Sequence, residues 1–172
     1  PTYSITDYEV SQLPKPSNCY PPFPNIRMFV NYTMTSPQLS KKKLKAIVFT
    51  DMVDFTKISA QDEDKALDLI QKQNEIIKPI VEKHNGEWLK EIGDGLLFSF
   101  DSSLEAVRCS IQIQEELKEI EGLNIRVGIH QGDIFVKDGD VFGDDVNIAS
   151  RVEGFAPIGG ISLSDKVHKD IS

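Results

Sequence analysis

The chain has 172 residues, 40% hydrophobic and 27% charged, a composition typical of one globular domain with a hydrophobic core. Its formal net charge of −8 argues against non-specific nucleic-acid binding, which needs a basic surface, and it suits a site where carboxylates hold divalent cations. The sequence shows no apolar run long enough to span a membrane and no signal peptide, and its two cysteines indicate no disulfide framework. We therefore expect a cytoplasmic domain, which is either free or anchored through a longer parent protein.

Residues 1–39 differ in composition from the rest of the chain. Seven of the nine prolines lie in the first 37 residues, and prolines at this density exclude regular helices and central strands. The segment also carries more large apolar side chains than a solvated linker needs: Tyr20, Phe23, Met28, Phe29 and Tyr32. We expect an extended arm over residues 1–39, packed on its own domain or on a partner, and a folded domain over residues 40–172.

From Leu44 onward, periodic apolar patterns predict regular elements. We expect a buried strand at 44–50, an amphipathic helix at 63–86 with a kink at Pro79, and a hairpin of strands at 87–92 and 96–100. A capping box then opens a helix at 102–121, followed by strands at 123–130 and 133–137, a helix at 144–155, a strand at 160–164 and a final helical turn. This order predicts an α+β fold with a ferredoxin-like βαββαβ core, an antiparallel-rich sheet with helices on one face, and extra C-terminal strand and helix elements.

The stretch EIGDGLLFSF, residues 91–100, places Asp94 between two glycines. Asp94-Gly95 flanked by apolar residues is a strong signal for a tight hairpin turn in which both turn residues take positive φ. Asp94 is therefore either a plain turn residue or a carboxylate that holds a ligand, and the local sequence favours the plain turn.

A second carboxylate, Asp51, lies at the end of the first strand in FTDMVDFT, residues 49–56. In the predicted sheet this end of the strand lies beside the hairpin, so we expect Asp51 and Asp94 to be neighbours. Two adjacent carboxylates repel unless a cation or a proton lies between them, and Mg²⁺ prefers oxygen ligands and leaves coordination sites to phosphate. The backbone N–H groups after Asp51, at Phe55 and Thr56, are expected to bind phosphate.

Four motifs occur in order along the chain: FTDMVDFT, LKEIGDG (89–95), RVGIHQG (126–132) and GDVFGDDVNIASR (139–151). Together they resemble the catalytic domain of class III nucleotidyl cyclases, the adenylate and guanylate cyclases. The resemblance runs from about Lys45 to the end of the chain. It implies a homodimer with two sites at its interface, each built from both chains. It also implies that Asp51 and Asp94 bind two Mg²⁺ or Mn²⁺ ions, assisted by the Met52 carbonyl.

The resemblance also assigns the residues that contact the nucleotide. Lys90 and Asp140 match the pair that reads the base, in the combination associated with adenine, whose N1 accepts and whose N6 amine donates. Asn147 and Arg151 match the catalytic pair that positions the ribose and stabilises charge at the α-phosphate, and their spacing of four puts them on one helix face. The implied reaction converts ATP to 3′,5′-cyclic AMP and pyrophosphate by two-metal, in-line displacement.

Three features depart from the family pattern. Asp54 stands where the family usually has glycine, beside the expected phosphate loop. Family members continue past the position of Ser172 with a strand pair that carries a triphosphate-binding lysine, so we expect this part of the family domain to be missing and the activity to be lower. The proline-rich arm is unlike the coiled coil that often precedes these domains, although a regulatory or sensor domain in a longer parent protein is compatible with the resemblance.

Other functions are weighed against an adenylate cyclase. A catalytically silent cyclase-homology domain, which would bind nucleotide or dimerise to regulate a partner, is disfavoured because every matching site residue is present. A diguanylate cyclase is disfavoured because its Gly-Gly-Asp/Glu-Glu-Phe signature is absent. Cyclisation of GTP or of a pyrimidine nucleotide is disfavoured by Lys90 and Asp140. His130, at the end of a predicted strand, is interpreted as structural rather than as a catalytic base.

Overall fold

The structure is a computed structural model that describes residues 42–137 and 140–172, and the arm predicted for residues 1–39 lies outside these ranges. The strands are β1 Lys43–Met52, β2 Glu87–Ile92, β3 Gly95–Phe100, β4 Ile125–Lys137, β5 Asp140–Phe142 and β6 Ile161–Leu163. The helices are α1 Phe55–Gln61, α2 Glu63–Lys83, α3 Ser103–Leu117, α4 Asp144–Glu153 and α5 Asp165–Ile171.

The strands form one sheet in the order β2-β3-β1-β4-β5, with β6 paired to β4. All strand pairs are antiparallel except β4 with β6, as expected for this fold class. β1 is central: Thr50 pairs with Leu96 of β3 on one side, and Met52 pairs with Ile125 of β4 on the other. The C-terminal end of β1 therefore lies between the β2–β3 hairpin and the start of β4, where Asp51 and Asp94 were expected to meet.

Helices α2, α3 and α5 cover one face of the sheet; α2 and α3 complete the predicted βαββαβ core, and α5 is one of the additional C-terminal elements. The Asp62 side chain accepts the Lys65 N–H at 2.9 Å to begin α2, and Ser102 Oγ accepts the Glu105 N–H at 3.4 Å to begin α3. Buried residues of this layer are Leu69, Ile77, Ile80 and Val81 from α2, Ala106, Cys109, Ile113 and Leu117 from α3, Val167 from α5, and Val48, Phe98, Val127 and Ile129 from the sheet. None of the described helices is long and apolar enough to cross a bilayer.

Helix α4, one of the additional C-terminal elements, lies on the opposite face of the sheet. The small apolar cluster beneath it consists of Ile47, Leu97, Ile134 and Ala149. Two glycines of β4 let α4 approach the strand closely. A Cβ added at Gly128 would lie 2.5 Å from Glu153 Cα, and one added at Gly132 would lie 2.5 Å from Asp145 Oδ2. α4 therefore rests almost directly on the backbone of β4.

The structure differs from several local predictions. β4 is one strand through Gly132, because this glycine makes room for Asp145 rather than forming a turn. α3 ends at Leu117, short of the expected residue 121, and α1 and β5 were not predicted. In the hairpin, Ile92 pairs with Gly95, so the two turn residues are Gly93 and Asp94. Positive φ occurs at Gly93 (64°) and not at Asp94 or Gly95, so the prediction of positive φ for both Asp94 and Gly95 was wrong.

Candidate active site

The hairpin tip that carries Asp94 is bonded to β1 and to α2. Asp94 Oδ2 accepts the backbone N–H of Met52 at 2.9 Å, and the carbonyl oxygen of Asp94 accepts a hydrogen bond from Gln73 Nε2 at 2.9 Å. Gln73 is a fully buried residue of α2. Asp94 is thus a turn residue and is also held next to the residue that follows Asp51.

Asp94 can contact β1 because β3 approaches β1 closely at Gly95. A Cβ added at Gly95 would lie 2.7 Å from the Thr50 carbonyl oxygen, so a larger residue there would push the hairpin away from β1. The Thr50 side chain also takes part, because its Oγ1 accepts the Leu96 N–H at 3.1 Å. The glycine after Asp94 is therefore required by packing against β1.

An open cleft of about 560 Å³ lies at this end of the sheet. Its lining residues are Asp51, Met52, Asp54, Phe55, Thr56, Lys57, Ala60, Asp94 and Arg126. All five residues predicted for metal and phosphate binding on this side are in the set. The first backbone N–H groups of a helix have no intrahelical acceptor, so those of Phe55 and Thr56, at the start of α1, have none within the helix.

Asp54, at the departure from the family pattern, has a left-handed backbone with φ 61° and ψ 15°. Its side chain makes no capping hydrogen bond to α1. Glycine adopts this conformation without steric cost, whereas most other residues are destabilised there, aspartate less than most. The backbone geometry explains why glycine suits this position, and it places an additional carboxylate on the wall of the cleft.

Arg126 is a cleft residue that the sequence analysis did not single out. Its Nη2 donates to Asp51 Oδ2 at 2.6 Å, and its Nε lies 3.0 Å from Oε1 of Glu153, the last residue of α4. The hydrogen bond to Asp51 raises the pKa of the Arg126 guanidinium. Burial raises the pKa of the Glu153 carboxyl, and the negative charges of Asp51 and Asp94 add to this effect against the opposing charge of Arg126. The Arg126 guanidinium thus lies between the carboxylates of Asp51 and Glu153.

The residues at the cleft fit a magnesium site that is shared with a phosphate ligand. Oδ2 of Asp51 and Oδ2 of Asp94 are engaged, but Oδ1 of each accepts no hydrogen bond from any residue the structure describes. In the same described ranges, no group of three or more His, Cys, Asp or Glu side chains could enclose a metal ion. Mg²⁺ typically binds one or two carboxylates and completes its octahedron with water and phosphate oxygens. Two carboxylates with free oxygens beside an open cleft match that requirement.

Of the other predicted site residues, Lys90 lies on the face of the sheet that α4 covers, Asp140 lies on β5, and Asn147 and Arg151 lie on α4 itself. Lys90 of β2 reaches this face because of a β-bulge: Trp88 pairs with Phe98, but the next pair is Lys90 with Leu97. Leu97 packs in the cluster under α4, and residues paired directly across an antiparallel ladder point to the same face. Asp140 begins β5, which contacts β2 as well as pairing with β4, so the strands of the predicted base-reading pair are close.

Asn147 and Arg151 lie on α4, away from the carboxylates of the first cleft. Asn147 lines a separate cleft of about 340 Å³ together with Asp133 and Asp145, and Arg151 is exposed. Neither residue lines the cleft of Asp51 and Asp94. Within one chain, the structure therefore brings the predicted metal ligands together and keeps the predicted catalytic pair apart from them.

The N-terminal end of α4 is fixed by hydrogen bonds to β4. Asp145 Oδ1 lies 3.0 Å from Nε2 of the buried His130, and Asp145 Oδ2 accepts the Asp133 N–H at 2.8 Å. Burial raises the pKa of the Asp145 carboxyl, but these hydrogen bonds together with the positive charge of Lys166 outweigh burial and the pKa is lowered overall. At the other end of α4, Glu153 packs closely on Gly128 of β4, so both ends of the helix contact β4 and Asn147 and Arg151 lie between these contacts.

Comparison with known proteins relates this arrangement to a family. The family model described as the adenylate and guanylate cyclase catalytic domain matches residues 39–172. A putative adenylate cyclase 3 of Rhizobium meliloti (strain 1021) is 36% identical over 137 residues, which cover 75% of this chain and 23% of the relative. An adenylate cyclase of Streptomyces coelicolor is 32% identical over 114 residues, which cover 65% of this chain and 30% of the relative.

Structural comparison agrees with the sequence relatives. The crystal structure of an adenylate/guanylate cyclase/hydrolase from Silicibacter pomeroyi superposes with a TM-score of 0.69 at 34% identity, covering 75% of this chain and 80% of that one. The chain spans less than a third of the length of either curated relative. The matched region is therefore a domain of those longer proteins.

Proposed function

Because the chain belongs to the adenylate and guanylate cyclase catalytic domain family, we propose that it is an adenylate cyclase, which converts ATP to 3′,5′-cyclic AMP and pyrophosphate. The observation that carries the proposal is the pairing of Asp94 with the residue after Asp51, at an open cleft with free carboxylate oxygens. Two curated adenylate cyclases at more than 30% identity support the same substrate.

The proposed chemistry is an in-line displacement at the α-phosphorus. The ribose 3′-oxygen forms a bond to the α-phosphorus, the bond from that phosphorus to the bridging oxygen breaks, and pyrophosphate leaves. Two Mg²⁺ or Mn²⁺ ions held by Asp51, Asp94 and the Met52 carbonyl would activate the 3′-hydroxyl and stabilise the leaving group. Arg126 and Lys57 bring positive charge to the same cleft, and the N–H groups of Phe55 and Thr56 are proposed to bind phosphate oxygens.

Selection of adenine is proposed to depend on Lys90 and Asp140. A lysine can only donate and a carboxylate can only accept, so the pair complements the N1 acceptor and N6 donor of adenine and opposes the N1 donor and O6 acceptor of guanine. The bulge that turns Lys90 to the face of Leu97, and the contact between β2 and β5, support a joint role for the two residues.

The division of the predicted residues between two clefts supports a homodimer as the active form. Asp51 and Asp94 line one cleft, whereas Asn147 lines another, so one chain alone does not assemble the set. We propose that α4 of a second copy completes each site, where asparagine positions the ribose and arginine stabilises charge on the α-phosphate. Exposed apolar side chains on this side of the chain, Phe142 at 43% and Ile148 at 37% exposure, are suited to burial between copies.

Product analysis tests the proposal directly. Purified protein at high concentration is incubated with Mg²⁺ or Mn²⁺ and an equal mixture of ATP, GTP, CTP and UTP, and the cyclic products are separated by mass spectrometry. Cyclic AMP as the dominant product supports the proposal, and cyclic GMP as the dominant product refutes the roles of Lys90 and Asp140. Nucleotide binding without any cyclic product favours the alternative of a catalytically silent regulatory domain.

A further inference from the structure

Arg126 lies between two carboxylates but forms a hydrogen bond to only one of them. Nη2 donates to Asp51 Oδ2 at 2.6 Å. Nε lies 3.0 Å from Glu153 Oε1, yet both of these atoms are buried and neither forms a hydrogen bond to any residue within 42–137 or 140–172. Two complementary buried atoms at this distance need only a small rotation of the guanidinium to form a second charge-assisted hydrogen bond.

Glu153 is held in place by packing rather than by this contact. It is 7% exposed and ends α4, and its backbone rests on Gly128, two residues from Arg126 on the same face of β4. An ionised carboxylate in such a place is costly unless it is paired, and Arg126 is the cation that the structure places beside it.

We propose that Glu153 is a positioning residue that receives the Arg126 guanidinium when a divalent cation occupies the Asp51 site. In the arrangement seen here, Arg126 neutralises Asp51, the same carboxylate that a cation requires. A cation at Asp51 displaces the guanidinium by like-charge repulsion, and the unfilled hydrogen bond to Glu153 gives it a new acceptor without exposing it to water. The inference rests on the proposed metal site.

This exchange links the metal site to helix α4. Glu153 is the last residue of the helix that carries Asn147 and Arg151, so a guanidinium transferred from Asp51 to Glu153 ties occupancy of one cleft to the position of α4. Because both ends of α4 contact glycines of β4 closely, a change at its C-terminal end is passed to the whole helix.

The test is a titration of the full chain with Mn²⁺ alone, in which free Mn²⁺ is measured by electron paramagnetic resonance. Glu153→Gln keeps the size of the side chain but removes the charged acceptor, so we expect Mn²⁺ to bind about tenfold more weakly, the loss of one charge-assisted hydrogen bond. Arg126→Gln removes the competitor at Asp51 and should bind Mn²⁺ at least as tightly as the wild type. Glu119→Gln, at an exposed carboxylate, is the control for the same change in net charge.

The double variant that combines Arg126→Gln with Glu153→Gln distinguishes transfer of the guanidinium to Glu153 from a simple effect of the Glu153 charge on the metal. If Glu153 acts through Arg126, Glu153→Gln changes Mn²⁺ affinity by less than about threefold when Arg126 is already glutamine. An equal loss in both backgrounds overturns the inference and leaves Glu153 as one more negative charge near the metal. Absence of Mn²⁺ binding by the wild type instead contradicts the proposed metal site itself.

A second readout follows the guanidinium directly. In ¹⁵N nuclear magnetic resonance, the Arg126 Nε–H signal should become protected from exchange when Mg²⁺ is added to the wild type, and an unchanged signal overturns the inference. If Glu153→Gln does not fold, as judged by circular dichroism, Arg126→Gln still decides the question. Weaker Mn²⁺ binding by that variant is incompatible with displacement of Arg126 from Asp51.

Discussion

Replacement of Gly128 by alanine tests the close packing of α4 on β4. The added methyl would lie 2.5 Å from Glu153 Cα and closer to its backbone nitrogen, whereas ordinary contact begins at 3.4 Å. Because the clashing atoms belong to the backbone of α4, no change of side-chain rotamer removes the clash, and α4 must move away from β4 by about 1 Å. Overpacking of this kind costs about 3 kcal/mol of unfolding free energy, which corresponds to a fall of roughly 10 °C in Tm for a domain of this size.

The same displacement moves Asn147 and Arg151, and a shift of about 1 Å in a catalytic group lowers turnover by about 100-fold. Gly154→Ala is the matched control. Gly154 has a helical backbone with φ −58°, and a methyl there would lie 3.5 Å from the nearest atom, so we expect unchanged turnover and a gain of about 0.5 kcal/mol. Differential scanning calorimetry and cyclic-nucleotide assays compare the two variants. Equal Tm and equal turnover in both would refute the packing argument.

Other perturbations address the carboxylates and the base-reading pair. Asp94→Asn keeps an oxygen for the hydrogen bond that stabilises the hairpin but loses the charge, so we expect a similar Tm and a fall of at least about 100-fold in turnover. Wild-type turnover in this variant would mean that Asp94 is a plain turn residue. Lys90→Glu with Asp140→Cys should shift preference from ATP toward GTP in competition assays, and an unchanged preference argues against their role. Asp145→Asn should lower the unfolding free energy by about 2 kcal/mol at neutral pH, because it weakens the charged contact to His130. Since the folded-state pKa of Asp145 is lowered, this stabilisation is present above the ordinary value of 3.8 and is lost as pH falls through the folded value, so urea titrations at pH 7 and pH 3 should show the difference shrink.

The elements with a long periodic pattern were predictable from the sequence. α2 and α3 have clear caps at Asp62 and Ser102 and apolar residues at helical spacing, and the β2–β3 hairpin has a glycine-rich tip. α1 has neither signal, since it is seven residues long, buries no residue and begins after a left-handed Asp54 without a side-chain cap. The break expected near Gly132 was wrong because a glycine in a strand can equally mark the close approach of another element.

The site was predictable only in part. The sequence pattern indicated Asp51 and Asp94, because Asp51 ends one buried apolar run, Asp94 comes just before another, and the fold brings the two together. Arg126 was missed because it occupies an ordinary polar position in an alternating strand, and Glu153 because it ends an amphipathic helix. Their roles depend on two facts that sequence does not reveal: the register of β4 against β1, which sets Arg126 opposite Asp51, and the direct contact of α4 with β4.

The continuity of β4 has a consequence for the spacing of the two clefts. Arg126 lies at one end of the strand and Asp133 borders the cleft of Asn147 near the other, about 23 Å away at the rise of an extended chain. In the proposed dimer each chain contributes one end of β4 to one site and the other end to the second site. The length of β4 between Arg126 and Asp133 therefore sets the separation of the two sites. One residue inserted between Gly128 and Gly132 would lengthen β4 by about 3.3 Å and would also turn one of these glycines away from α4. The length of this strand is therefore constrained more tightly than that of any surface loop.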